Sequence, residues 1–176
     1  IIQWAKIGGT IYENTDETII WNLPIEVSDV LYAHLSGADF NGANLEGANL
    51  QEINFHRVNF DGANLKGANM RQCFIFRCSF VGANLEEAIL NSCFLGNDSL
   101  NNLPPEGGAN LEGVNLKGAS ITYASLSKIN LRGANLEGAD LKRTYLRGAH
   151  LEGANLKGAN LEGAHLEGAT YDQHTK

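Results

Sequence analysis

Gly42-Ala43-Asn44-Leu45-Glu46-Gly47-Ala48-Asn49-Leu50, answered later by Gly133-Ala134-Asn135-Leu136-Glu137-Gly138-Ala139-Asp140-Leu141-Lys142, decides how this chain folds. A large apolar residue returns every fifth position from Leu35 to Leu100 and again from Leu111 to Tyr171. That spacing fits neither the helix period of about 3.6 residues nor the strand period of about 2. The chain is an internal repeat and has to be read by its own unit. Ala usually stands two residues before the large residue, a polar residue (mostly Asn) just before it, and 15 of the 20 glycines two after it. On extended backbone the small and large apolar residues point the same way, with the Asn between them pointing out. Glycine then supplies the positive-φ corner of a tight turn. Each unit is a short straight side ending in a corner, and the class is all-β.

Irregular units reveal how many sides close a turn. Ile53, Val58, Cys73, Cys78 and Cys93 replace the inward Ala, and both 53, 73, 93 and 58, 78 advance by 20. Four pentapeptides therefore make one coil of a parallel β-helix. Charges keep the same step: Glu46, Lys66 and Glu86 alternate in sign, as do Glu112, Arg132 and Glu152, and Lys117, Glu137 and Lys157. Strands stacked about 4.8 Å apart turn such residues into cross-strand pairs. With 14 large residues in the first run and 13 in the second, about 7 coils of 20 residues are expected.

The units Ala33-His34-Leu35, Ala43-Asn44-Leu45 and Ala134-Asn135-Leu136 resemble the A-(D/N)-L-x-x repeat of the pentapeptide-repeat family, over roughly residues 30 to 171. The resemblance implies a right-handed quadrilateral β-helix. The G-A-N-L-E/K spacing and the closing Ala169-Thr170-Tyr171-Asp172-Gln173-His174-Thr175-Lys176 are similar to cyanobacterial members. For function the resemblance brings one idea, an acidic tower that mimics duplex DNA and binds DNA gyrase or another DNA-binding protein. The net charge of −7 invites it, but the alternating signs do not give the continuous negative surface it needs.

Residues 31–171 are read as a single β-helix interrupted by a loop at 101–108, with a tail at 172–176. Across Asn101-Asn102-Leu103-Pro104-Pro105-Glu106-Gly107-Gly108 the two runs shift phase, because Leu100 and Leu111 are eleven apart. Two sides plus one extra residue is the favoured reading, over one side plus six, and places Val114 on the column of Ile53, Cys73 and Cys93. Residues 1–30 form an N-terminal cap in this reading. Two short strands flank Gly8-Gly9, and a short helix starts near Asn22 and Pro24 and covers the first coil with Ile25, Val27, Val30 and Leu31. Corners built on Gly should be type II turns, with departures at Gln51-Glu52, Arg71-Gln72 and Phe76-Arg77.

Catalytic chemistry finds no footing. His34, His56, His150, His165 and His174 are scattered over outward positions, without ligand spacing, nucleophile elbow or phosphate-cradling loop. No catalytic, cofactor-binding or metal residues, no cofactor and no enzyme activity are expected. Direct nucleic-acid binding is not expected either, since no basic stripe with aromatics is visible. Cys73, Cys78 and Cys93 all take inward positions and read as buried free thiols, with a Cys73 to Cys93 disulfide as the other reading. They point to the cytoplasm, or to periplasm or thylakoid lumen if a signal was removed from a chain that starts at Ile. No apolar run is long enough to cross a membrane.

The departures that carry function are apolar residues at outward positions. Phe74 and Phe94 stand 20 apart where Asn is usual, with Phe76 on the same side and Val81 and Ile89 near neighbouring corners. Together they predict an outward apolar patch on coils two to four. It is covered by the chain itself or serves an unidentified protein partner or a homodimer; end-to-end association through the last coil is a further expectation. The protein is thus read as a non-enzymatic interaction scaffold.

Overall fold

The computed structural model describes residues 6–7, 10–11, 35–96 and 108–176. Strand β1 (Lys6–Ile7) pairs antiparallel with β2 (Thr10–Ile11), in the register Lys6 to Ile11 and Ile7 to Thr10. The expected helix after Asn22 lies outside the described residues. From Leu35 onward the chain is a parallel β-solenoid. Strands β3 (Leu35–Ser36), β4 (Asn54–His56) and β5 (Phe74–Phe76) stack in register as one sheet. Single parallel bridges join the outward residues of the other sides, such as Asn44 to Asn64 to Asn84 and Asn49 to Asn69 to Ile89.

One pentapeptide accounts for all five of its N–H groups. In Ala63-Asn64-Leu65-Lys66-Gly67, Ala63 donates to Phe60 C=O across the corner (3.0 Å) and Asn64 to Ala43 C=O of the preceding coil (2.9 Å). Leu65 and Gly67 donate to Asn84 C=O (2.7 Å) and Glu86 C=O (2.8 Å) of the following coil. The remaining N–H, of Lys66, donates to the Asn64 side chain at 3.3 Å. Asn is preferred because its Oδ1 receives the N–H two residues on while its Nδ2 donates to the Asn of the coil before, as Asn64 does to Asn44 at 3.2 Å. No backbone N–H of this unit is left over, so the walls need no second layer.

The interior is columns of identical chemistry. Phe40, Phe60 and Phe80 stack with centroids 5.4 and 4.7 Å apart, and Leu65, Met70, Ile75 and Leu85 are fully buried. Cys73, Cys78 and Cys93 are free and buried, so the stacked pair is not bridged. Cys73 Sγ donates to Leu50 C=O, Cys93 Sγ to Met70 C=O and, one block later, Thr144 Oγ1 to Ile121 C=O, each 23 residues back.

Every described corner has a residue at positive φ, glycine or not. Gly42 and Gly62 sit at 65°, and Glu52, Gln72 and Arg77 at 62°, 57° and 53°. Gln51-Glu52 and Arg71-Gln72 therefore turn like the glycine corners. Phe76-Arg77 does depart: it is an open bend, like His56-Arg57, because β4 and β5 extend pairing into the corner.

The interruption is a correction to the sequence reading. Ser79 bridges Asn110 and Asn84 bridges Asn115, a step of 31 where 20 is regular. Ala109 N–H donates to Leu95 C=O at 2.8 Å, closing the corner as though nothing intervened. Eleven residues are thus extruded at one corner, neither as two sides plus one nor as one side plus six. Leu111, not Leu100, is the large residue that follows Leu95. Val114 stacks on the column of Ala43, Ala63 and Ala83, while Ala124 continues the Ile53, Cys73 and Cys93 column. Loop closure tolerates such an insertion because the paired sides on both flanks remain intact.

At the far end, residues 172–176 hydrogen-bond to the last coil. Asp172 accepts from the N–H groups of Gly153, His174 and Thr175. Lys176 N–H donates to Ala154 C=O and Lys176 C=O accepts from Leu156.

Candidate functional site: one side of the solenoid

Three of the four sides present polar outward residues at nearly every step. The Asn44 side is an unbroken amide ladder, Asn44, Asn64, Asn84, Asn115, Asn135 and Asn155, with links of 2.9 to 3.2 Å. The fourth side reads Asn54, Phe74, Phe94, Ser125, Tyr145, His165 through successive bridges. Phe74 and Phe94 are 39% and 38% exposed. Their rings lie 4.9 Å apart and 4° from parallel, and Phe76 sits 6.2 Å from Phe74. Tyr145 and His165 repeat the stack at 4.9 Å on the far side of the buried Ser125.

Of the five residues singled out in the sequence, Phe74, Phe76 and Phe94 come together here. Val81, 39% exposed, lies around the corner on the Asp39 side, where its N–H donates to Asp61. Ile89 occupies the Asn49 side, bridged to Asn69 and Ser120. These two flank the patch instead of belonging to it.

Sequence reasoning missed the basic residues beside the patch. Arg57, Arg77 and Lys128 follow this side at its exposed corner positions, and Arg57 N–H donates to Phe76 C=O at 2.9 Å. Arg71 flanks the preceding corner, and Arg143 lies 5.6 Å over the Tyr123 ring, itself exposed. The expectation that no basic stripe with aromatics exists is therefore corrected: winding collects residues that are dispersed along the chain. Only the twenty-residue step, shifted by eleven at the interruption, shows it.

Elsewhere opposite charges meet. Lys66 pairs with Glu86, Lys117 with Glu137, Arg132 with Glu152, Lys142 with Glu162 and Arg147 with Glu167, at 2.9 to 3.5 Å. Glu46 and Glu112 instead accept from Asn64 and Asn130. Lys117 holds Glu137 below the usual carboxylate range and Lys142 does the same for Glu162. Backbone N–H groups lower Glu152, Glu167 and Asp172. Burial pushes the Cys78 thiol up to about 11, and the Cys73 hydrogen bond, with burial, raises Cys93. Among the described residues no group of three or more His, Cys, Asp or Glu is gathered to hold a metal ion, and no helix is long and apolar enough to cross a membrane.

The pentapeptide-repeats family profile matches in 8 copies, over residues 33–73, 107–138 and 134–170. The chain belongs to the pentapeptide-repeat family. Among solved structures, this pentapeptide-repeat protein is similar to HetL of the cyanobacterium Nostoc sp. strain PCC 7120, a protein involved in heterocyst differentiation regulation. The identity is 27% over 76% of this chain, with a TM-score of 0.42, and the match spans 65% of HetL's length. Rfr23 from the cyanobacterium Cyanothece 51142 is also 27% identical, over 78% of this chain and 89% of its own, at a TM-score of 0.39. QnrB1, a plasmid-mediated fluoroquinolone resistance protein, is 18% identical over 79% and 91%, at a TM-score of 0.45. A comparison with curated proteins returned no match.

Proposed function

We propose that this pentapeptide-repeat protein is a non-enzymatic scaffold that docks an unidentified protein partner through the side carrying Phe74, Phe76 and Phe94, flanked by Val81 and Ile89. The observation that carries it is the loss of Asn at Phe74 and Phe94. An outward Asn caps the N–H two residues on and links neighbouring coils, as the Asn44 side shows throughout. Phe cannot cap that N–H and, although its ring stacks on the neighbouring coil, it leaves apolar surface in solvent that an outward Asn would not. Exposed apolar clusters of this kind mark interaction sites.

The reading extends to winding and place. Parallel strands joined by crossovers favour a right-handed coil, of about 7 turns as the repeat count gives. Unbridged buried thiols support a reducing, cytoplasmic compartment. Mimicry of DNA is the weaker reading, because the carboxylates are taken up in ladders with Lys, Arg and Asn.

The test is capture from native lysate with the wild type beside the Phe74→Asn/Phe94→Asn double variant, both checked by circular dichroism. A partner held by the wild type and lost by the folded variant is the expected result. An identical set of captured proteins would refute the reading.

A further inference from the structure

We infer that the partner of the Phe74 side is an acidic, apolar peptide segment, one in which large apolar residues are interspersed with Asp or Glu. The inference rests on the docking reading above and names the chemistry of the occupant. Three observations carry it.

The first is ring orientation. Phe74 and Phe94 stack face to face, so each ring covers one face of the other, while their outer faces lie toward the Asn54 and Ser125 rungs of the same column. Aromatic edges carry partial positive charge and the faces partial negative charge. A nucleic-acid base or a sugar would need a free face, whereas this strip offers an apolar and slightly electropositive rim.

The second is charge. Arg57 and Arg77 occupy adjacent rungs of one corner column, and like charges so placed repel. The other paired columns alternate in sign. Among the described residues Arg57, Arg71, Arg77 and Lys128 have no ion pair. The carboxylates closest to Arg57 in the chain, Glu52 and Asp61, accept instead from Gln51 Nε2 and from the Ser79 hydroxyl and Val81 N–H. A chain of net charge −7 thus leaves these cations, among its described residues, without an ion pair beside its apolar strip.

The third is cost. Arg57, Arg77 and Lys128 stand at φ 57°, 53° and 55°, where most corners use glycine. A non-glycine residue is strained there, and among the described residues no ion pair compensates for it. Carboxylates of a docked segment would neutralise these cations while its apolar side chains cover the rings.

Fluorescence anisotropy decides the matter, with a short fluorescein-labelled peptide in which Leu and Phe alternate with Asp and Glu. Its Lys-substituted counterpart and a labelled single-stranded oligothymidylate serve as competing probes. The wild type is expected to bind the acidic peptide, more weakly as salt rises. Arg57→Glu/Arg77→Glu is expected to weaken it about tenfold or more. Glu fits those corners, as Glu52 and Glu87 stand at φ 62° and 58°. If that variant fails to fold, Arg57→Gln/Arg77→Gln and the wild-type salt titration carry the same test. Equal binding of both peptides, lost in Phe94→Asn but unchanged in the arginine variant, leaves the docking reading standing and overturns the acidic partner. Preference for the oligonucleotide, or no peptide binding at all, also overturns it.

Discussion

Position two after each large residue separates conformation from contact. Gly82 has φ 64° and nothing within 4 Å of where a Cβ would stand. Gly82→Ala should therefore cost only the left-handed backbone term, about 1 kcal/mol by urea denaturation. Gly96, which stands one residue after its large residue Leu95, is the opposite case, for a Cβ there would clash with the Ser127 backbone. Gly96→Ala should cost about 3 kcal/mol, because the obstructing atoms are backbone and not the end of a flexible side chain. The thiols give a second pair of expectations. Since burial raises Cys78 to about 11 from 9.0, the folded protein should resist alkylation at pH 8. The neutral thiol is favoured in the folded state, so this contribution is complete below about 9 and is lost as pH rises toward about 11. Rapid labelling of native protein by iodoacetamide at pH 8 would contradict this.

The pentapeptide side is the element of this fold, and its inward and outward pattern was legible in the sequence, whereas its hydrogen-bond accounting was not. Ala in, Asn out, Leu in and Gly at the corner follow from volume, Asx geometry and φ alone. Asn84→Ala should remove links of 3.1 and 2.9 Å to Asn64 and Asn115 and the 3.2 Å bond from Glu86 N–H. A loss of about 2 kcal/mol is expected in chemical denaturation. Phe94→Asn should cost about 1 kcal/mol, the worth of a half-exposed aromatic stack, while abolishing docking. What the sequence could not supply was register across the interruption. Periodicity counts residues within a run, but an insertion at a corner has no period. The closing bond from Ala109 to Leu95 is a contact between residues whose separation no repeat specifies. That single misreading left Phe74, Phe76 and Phe94 legible but put Tyr145 and His165 on a different side from them.

Seen whole, the molecule has unequal halves and unequal sides. The lowered carboxylates, Glu137, Glu152, Glu162, Glu167 and Asp172, all belong to the second block. A depressed pKa means the unfolded chain binds protons first. Their stabilisation is therefore present above the ordinary values of 4.5 for Glu and 3.8 for Asp, and is lost as pH falls through the lower folded values. Solenoids open locally, so amide exchange at pH 3 should rise more over residues 130–176 than over 40–95. A uniform rise would show that the ladders do not set the acid response. The sides differ in chemistry: three display polar groups at nearly every step, and one gathers stacked aromatics beside cations that have no ion pair among the described residues. The central claim is that docking is confined to that fourth side. A photocrosslinking residue placed in turn at Phe94, Asn110, Asn115 and Ser120, one outward position on each side, tests it in native lysate. A partner adduct formed from position 94 and from none of the other three is the result expected here. Equal adducts from all four positions, or adducts only from 110, 115 or 120, would contradict it.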